Sequence, residues 1–194
     1  MNARKLILAS ASDRRHQLLH QIGCAPDLVI PADVNETRIV GEGPKDLVTR
    51  LSLLKGEKVF RQHKEAVIVA ADTAVALGKR TVGKPRDMAE AAAFLTMLSG
   101  RNHRVYTSVY IRYGSSKRQR CIQTRVKFKK LTTREISNYL DSGEWEGKAG
   151  GYAIQGRASA FIISITGSYT NVVGLPLYET YNMLSGIGYP TSYE

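Results

Sequence analysis

The apolar positions of this 194-residue chain fall into two kinds of run, and their spacing predicts strands alternating with helices. Dense apolar runs at residues 5–9 (KLILA) and 66–71 (AVIVAA) read as strands buried on both faces, suited to the centre of a sheet; the second ends at Asp72. Residues 28–31 form a third, shorter strand. Helical spacing places Leu18, Leu19 and Ile22 on one face of a helix over residues 14–22, with Gly23 as its stop. The same period puts Leu47, Leu51, Leu54 and Lys58 near one face of a long helix over 44–64. A further helix spans 88–98 and is closed by Ser99-Gly100. Residues 105–113 and 121–131 read as antiparallel strands joined by the polar tip GSSKRQR. Thr132 and Glu135 fit a capping box that starts a helix over 133–140. Next come the glycine-rich GKAGGYAIQG, the strand AFIISI, the loop TGSYTNVVGLP and a last helix, LYETYNML.

This alternation predicts an α/β fold built on one mixed sheet. No repeat, linker or shift of composition marks a boundary, so residues 1–194 read as a single domain. No apolar run approaches the roughly 20 residues that span a bilayer, and MNARKLILAS is too short in its apolar part for a signal peptide. The expected location is cytoplasmic, with no membrane partner. Cys24 and Cys121 are too few for a disulfide framework and lack metal spacing. The formal charge of +11 favours a polyanionic partner, whether nucleotide, nucleic acid or anionic lipid. Basic and aromatic residues do not interleave as in common RNA-binding strands, so no stable nucleic-acid complex is expected.

The candidate chemistry lies in the loops. SASDRR follows a buried strand and opens a helix, where free backbone N–H groups and the helix dipole favour an anion. Ser10 and Ser12 add hydroxyls, and Arg14 and Arg15 add planar forks that match phosphate oxygens. Asp72 stands where open α/β sheets bind ligands, and could hold Mg²⁺ or take a proton from water. Glu36, in DVNE, is a second loop carboxylate; Lys55 and Lys84 could neutralise phosphate charge. Each has a plainer reading as well: a cap or turn for Ser12 and Asp72, solvated surface for the others. There is no Walker A loop, no G-x-G-x-x-G and no G-x-S-x-G. The residues alone lead to a protein that binds a small polyphosphate, with metal-assisted hydrolysis open.

The segments LILASASDRR, DVNE, LVTRLSLLK, VAADTAV, VGKPRD, LSGRNHRVYTSV, SGEWEGKAGGYAIQG and GSYTNVVGLPLYET occur in this order from about residue 5 to 185. Together they resemble the Maf family of nucleoside triphosphate pyrophosphatases. The resemblance implies an elongated α/β structure similar to inosine triphosphate pyrophosphatases, with two lobes around a central cleft. It implies a cytoplasmic enzyme, often a homodimer, that uses Mg²⁺ (or Mn²⁺) to split a nucleoside triphosphate into monophosphate and pyrophosphate. It further implies removal of non-standard nucleotides and a link to arrest of cell division. The alternative is a non-catalytic regulator that binds nucleic acid or protein.

Carried over by position, the resemblance gives Asp72 the acid/base role and makes Ser10, Arg14 and Arg15 the phosphate loop. It places the metal on Glu36 and Asp72, and further phosphate contacts on Lys55 and Lys84. Arg14, Thr73 and Gln155 fall at the positions that select the base and look like the branch acting on dTTP and UTP. An amide at Gln155 offers one donor and one acceptor, as the edge of uracil or thymine requires. Three positions depart from the family pattern: Asp13 replaces proline, Gly56 replaces alanine, and GGYAIQG replaces GAYGIQG.

Overall fold

A computed structural model describes residues 4–191. One seven-stranded mixed sheet runs through it: β1 (Leu6–Leu8), β2 (Leu28–Val29), β3 (Val67–Leu77), β4 (Arg80–Val82), β5 (Asn102–Tyr113), β6 (Ser116–Phe128) and β7 (Ile162–Thr166). The order is β2-β1-β3-β5-β6-β7, with β4 also on β3. β2, β1 and β3 are parallel, and every other pairing is antiparallel. The helices are α1 (Asp13–Gln21), α2 (Pro44–Gln62), α3 (Met88–Leu98), α4 (Thr133–Leu140), α5 (Tyr169–Val173) and α6 (Leu177–Ser185). No helix among the described residues is long and apolar enough to cross a membrane.

The α/β architecture expected from the alternation is present, and α3 and α4 have the expected bounds. The capping box of α4 is formed: Glu135 N donates to Thr132 Oγ1 at 3.2 Å, and Thr132 N donates to Glu135 Oε2 at 2.9 Å. Other elements differ from expectation for identifiable reasons. β3 does not end at Asp72 but continues to Leu77, because β5 pairs with it from Ile68 to Ala76 and carries the strand through the polar positions. Residues 80–82 return along β3 as β4. β6 begins at Ser116 rather than residue 121, since the turn at Gly114-Ser115 is tight and Tyr113 already faces Ser116. Arg157–Phe161 form a 3₁₀ turn before β7, and the loop expected at TGSYTNVVGLP contains α5.

The long helix α2 is turned from the expected face. Leu47, Val48, Leu51, Val59 and Phe60 are buried, but Leu54 is exposed and Lys55 takes the inward position beside Ser52 and Gly56. Gly56 explains one departure from the family pattern. A β-carbon there would overlap the ring of Tyr110 on β5, so the large tyrosine and the missing side chain are one adjustment. The glycine shift in GGYAIQG has a conformational reason as well: Gly150 and Gly151 both have φ near +70°, where an alanine is strained.

Candidate active site

β3 is longer than its neighbours on one side, and the site is built on that mismatch. β5 occupies one edge of β3 along nearly its whole length. On the other edge β1 pairs with Val67–Val69 and β4 with Val75–Leu77. Between them a stretch of β3 around Asp72 and Thr73 has no strand beside it. A cleft of about 400 Å³ opens at this gap. It is lined by Ser10, Arg14 and Arg15 after β1, by Glu36, by Lys55 of α2, by Asp72 and Thr73, and by Lys84.

Seven of the residues expected at the site therefore converge there with Thr73. Gln155 does not: it is exposed and outside the cleft lining, although Tyr152 three positions earlier lines the cleft. Ser12 is the first residue before α1, yet its side chain makes no capping bond, and Asp13 lies in the first helical turn.

The two carboxylates meet on one cation. Lys55 Nζ lies 2.5 Å from Asp72 Oδ1 and 2.7 Å from Glu36 Oε1. Burial alone would raise the pKa of Glu36, but the hydrogen bond from Lys55 and the charges of Lys55, Lys84 and Arg15 together hold it below the usual glutamate value. Such a pair fits a hard divalent cation, because Mg²⁺ takes one or two carboxylates and completes its shell with phosphate oxygens and water. Among the described residues no third His, Cys, Asp or Glu joins them, so substrate oxygens would have to complete the set.

Arg15 is held on three sides. Its Nε donates to Gly174 O at 2.8 Å, Nη1 to Ser10 Oγ at 2.9 Å, and Nη2 to Thr73 Oγ1 at 3.1 Å. Behind Thr73 runs a chain of buried hydroxyls. Thr107 Oγ1 donates to Asn171 O at 2.8 Å, so its single proton is spent there and it accepts from Thr73 Oγ1 at 3.0 Å. Asn171 in turn donates through Nδ2 to Thr124 Oγ1 and Val105 O. Burial lowers the pKa of Arg15, opposed by Asp72 and Glu36. Burial and the neighbouring Arg15 do the same to Arg14. Both guanidinium groups stay protonated at neutral pH and supply fixed positive charge.

Glu36 sits on an irregular loop that is tied to α2. Arg50 grips Glu42 through Nε at 2.6 Å and Nη2 at 2.8 Å, and donates to Thr37 O at 3.1 Å. Arg38 donates to Glu42 O, and Lys58 to Asp33 O. α2 thus carries Lys55 into the cleft and fixes the loop that brings Glu36 to it.

Three features are not apparent from the sequence. Lys148 lines the cleft, with burial and then Arg14 lowering its pKa; its only signal is GKAGG, a glycine-flanked lysine like that of Lys84. Arg50 and Glu42 look like ordinary surface charges until the loop folds back on the helix. Thr107 and Asn171 are small polar residues whose burial no local pattern announces.

A sequence model for the family described as "Maf-like protein" matches residues 5–187. A dTTP/UTP pyrophosphatase of Mesorhizobium japonicum is 50% identical over 192 residues, covering 95% of this chain and 92% of that one. A protein of the same name from Maricaulis maris is 52% identical over 190 residues, covering 97% and 90%. In structure, the chain is similar to a HAM1 protein from Coxiella burnetii with a TM-score of 0.52 at 12% identity, over 94% of this chain and 99% of that one. That likeness concerns the fold. With the family match running from β1 past the end of α6, the chain belongs to the Maf-like protein family.

Proposed function

We propose that this chain is a nucleoside triphosphate pyrophosphatase acting on dTTP and UTP, releasing the nucleoside monophosphate and pyrophosphate. The observation that carries the reading is the meeting of Glu36 and Asp72 on Lys55, in a cleft that also holds Arg14, Arg15, Lys84 and Lys148. Five cations against three carboxylates, Asp13, Glu36 and Asp72, suit a triphosphate, whose charge must be neutralised while a water is activated.

In this reading Lys55, Lys84 and Arg15 bind the triphosphate oxygens and offset the charge that builds up on leaving pyrophosphate. Asp72 has one oxygen on Lys55 and its other oxygen without a hydrogen bond among the described residues. That second oxygen accepts the proton of the water attacking the α phosphorus; the α–β anhydride bond breaks as the new bond forms. Glu36 and Asp72 would hold Mg²⁺, or Mn²⁺ with the same oxygen preference. The ion, when bound, withdraws charge from the phosphate oxygens. Arg14 and Thr73 act on base choice from within the cleft, and the Thr73 hydroxyl also accepts from Arg15, which fixes that phosphate-binding guanidinium. Gln155 enters on the family resemblance and on its paired donor and acceptor.

Pyrophosphate release from a panel of ribo- and deoxyribonucleoside triphosphates with Mg²⁺ tests the reading, with Asp72→Asn as control. Fastest release from dTTP and UTP is expected. Release from none of them would overturn it, and release only from purine triphosphates would overturn the base assignment.

A further inference from the structure

The positive charge of this chain is concentrated in one segment. Residues 91–134 contain 11 lysines and arginines and not one aspartate or glutamate, whereas the rest of the chain holds 17 of each sign. The whole excess of +11 therefore belongs to a segment dominated by the β5–β6 hairpin. Part of it is neutralised: Arg112 and Lys117 pair with Glu57, and Lys129 with Glu135.

The remainder gathers at the other end of the hairpin. Arg104 of β5 and Arg125 of β6 are directly opposite each other, so both project from the same face. Neither has an ion pair or side-chain hydrogen bond among the described residues. Like charges directly opposed across a ladder are destabilising, and no carboxylate relieves these two. Asn102 and Lys127, the next pair on that face, leave Lys127 exposed. On the other side come Tyr106 and Gln123. α2 covers this face farther along, where Ser52 meets Ser108 and Gly56 meets Tyr110, but Gln123, Arg125 and Lys127 are exposed and Tyr106 and Arg104 half-buried. A hollow opens here between the end of β3 at Ala76–Gly78 and the two arginines.

We infer that this end of the sheet is a binding surface for single-stranded nucleic acid. Arg104 and Arg125 are free to take backbone phosphates, with Lys127 continuing the track. The Tyr106 ring, two positions from Arg104 on the same face, is placed to stack a base. An aromatic among unpaired cations on an open sheet face favours a strand with splayed bases over a duplex or a lipid surface, for which a ring has no such use. Such binding runs against the expectation of no stable nucleic-acid complex, which rests on single stretches of the chain; here Arg104 and Tyr106 of β5 are joined on one face by Arg125 and Lys127 of β6.

The test is fluorescence anisotropy of a labelled 20-nucleotide single strand with the whole protein, between 50 and 200 mM salt. One double variant, Arg104→Gln with Arg125→Gln, removes the pair; a second, Arg61→Gln with Lys64→Gln on α2 and just beyond it, makes the same change of charge elsewhere. The pair variant is expected to bind at least 10-fold more weakly at 50 mM salt. Its plot of log affinity against log salt flattens by roughly 1.4, about 0.7 for each phosphate no longer neutralised. The control stays within about threefold. Equal weakening in both variants, or no binding by the wild type at 50 mM salt, overturns the inference, and the wild-type measurement does so even if the pair variant fails to fold. Binding to anionic vesicles that excess oligonucleotide does not displace overturns it too.

Discussion

Lys55 and Asp72 form a nearly dry ion pair, Nζ to Oδ1 2.5 Å apart, with side chains only 10% and 13% exposed. Glu36 adds a second carboxylate to the same ammonium at 2.7 Å. Without the lysine, two like charges would be left side by side with no ammonium between them.

Removing the two partners should therefore have different effects, on chemistry alone for Asp72 and on chemistry and binding for Lys55. Asp72→Asn keeps the shape of the cleft and loses the proton acceptor, and is expected to lower kcat by about 10²–10⁴-fold with KM changed only a few-fold. Lys55→Ala is expected to weaken both kcat and KM, because the lysine neutralises substrate phosphates and separates the two acids. Steady-state kinetics on dTTP distinguish the two patterns; an Asp72→Asn enzyme with wild-type kcat removes the role given to Asp72.

The Arg50–Glu42 grip fixes the loop that carries Glu36. Arg50→Ala is expected to reduce kcat/KM about 10-fold, equivalent to roughly 1.4 kcal/mol of transition-state stabilisation. Glu42→Ala alone and the double variant should show the same reduction, since all three break the same grip. Reductions that multiply in the double variant would mean that the two residues act separately.

His103 gives stability a pH dependence of defined sign. It is buried, donates to or accepts from Tyr152 Oη at 2.8 Å, and burial lowers its pKa from the ordinary 6.5 to about 4. Between those values the unfolded chain holds a proton that the folded chain refuses. Stability should thus be full above pH 6.5 and fall as pH drops toward 4, by about 1.4 kcal/mol per unit from this residue. His103→Gln keeps a partner for Tyr152 but does not titrate. Urea unfolding at pH 7 and pH 5 should show a smaller loss in the variant than in the wild type.

Gly56 and Tyr110 are predicted to be energetically coupled. Gly56→Ala pushes a methyl group into the tyrosine ring and should cost about 1–3 kcal/mol of stability. In the background of Tyr110→Ala the same substitution should cost little or stabilise the helix, as alanine does relative to glycine. Denaturant midpoints for the four chains of the cycle measure the difference.

The elements that could be read in advance were those fixed by local chemistry: the buried run of β3, the capping box of α4 and the glycine stop after α3. The continuation of β3 through Asp72 and Thr73 depends on β5 lying alongside, which no local window contains. Leu54 and Lys55 changed places because helical spacing cannot weigh a leucine against a lysine whose two acidic partners come from distant parts of the chain. At the site, the charged motifs announced themselves by residue type and order. Thr107 and Asn171, which hold Thr73 and through it Arg15, are defined by tertiary contact alone.

In the proposed reaction, water activated at Asp72 attacks the α phosphorus. Hydrolysis of dTTP in ¹⁸O-water followed by mass spectrometry of both products tests this most directly. One heavy oxygen is expected in thymidine monophosphate and none in pyrophosphate. Heavy oxygen in pyrophosphate with none in the monophosphate would place the attack on the β phosphorus and contradict it.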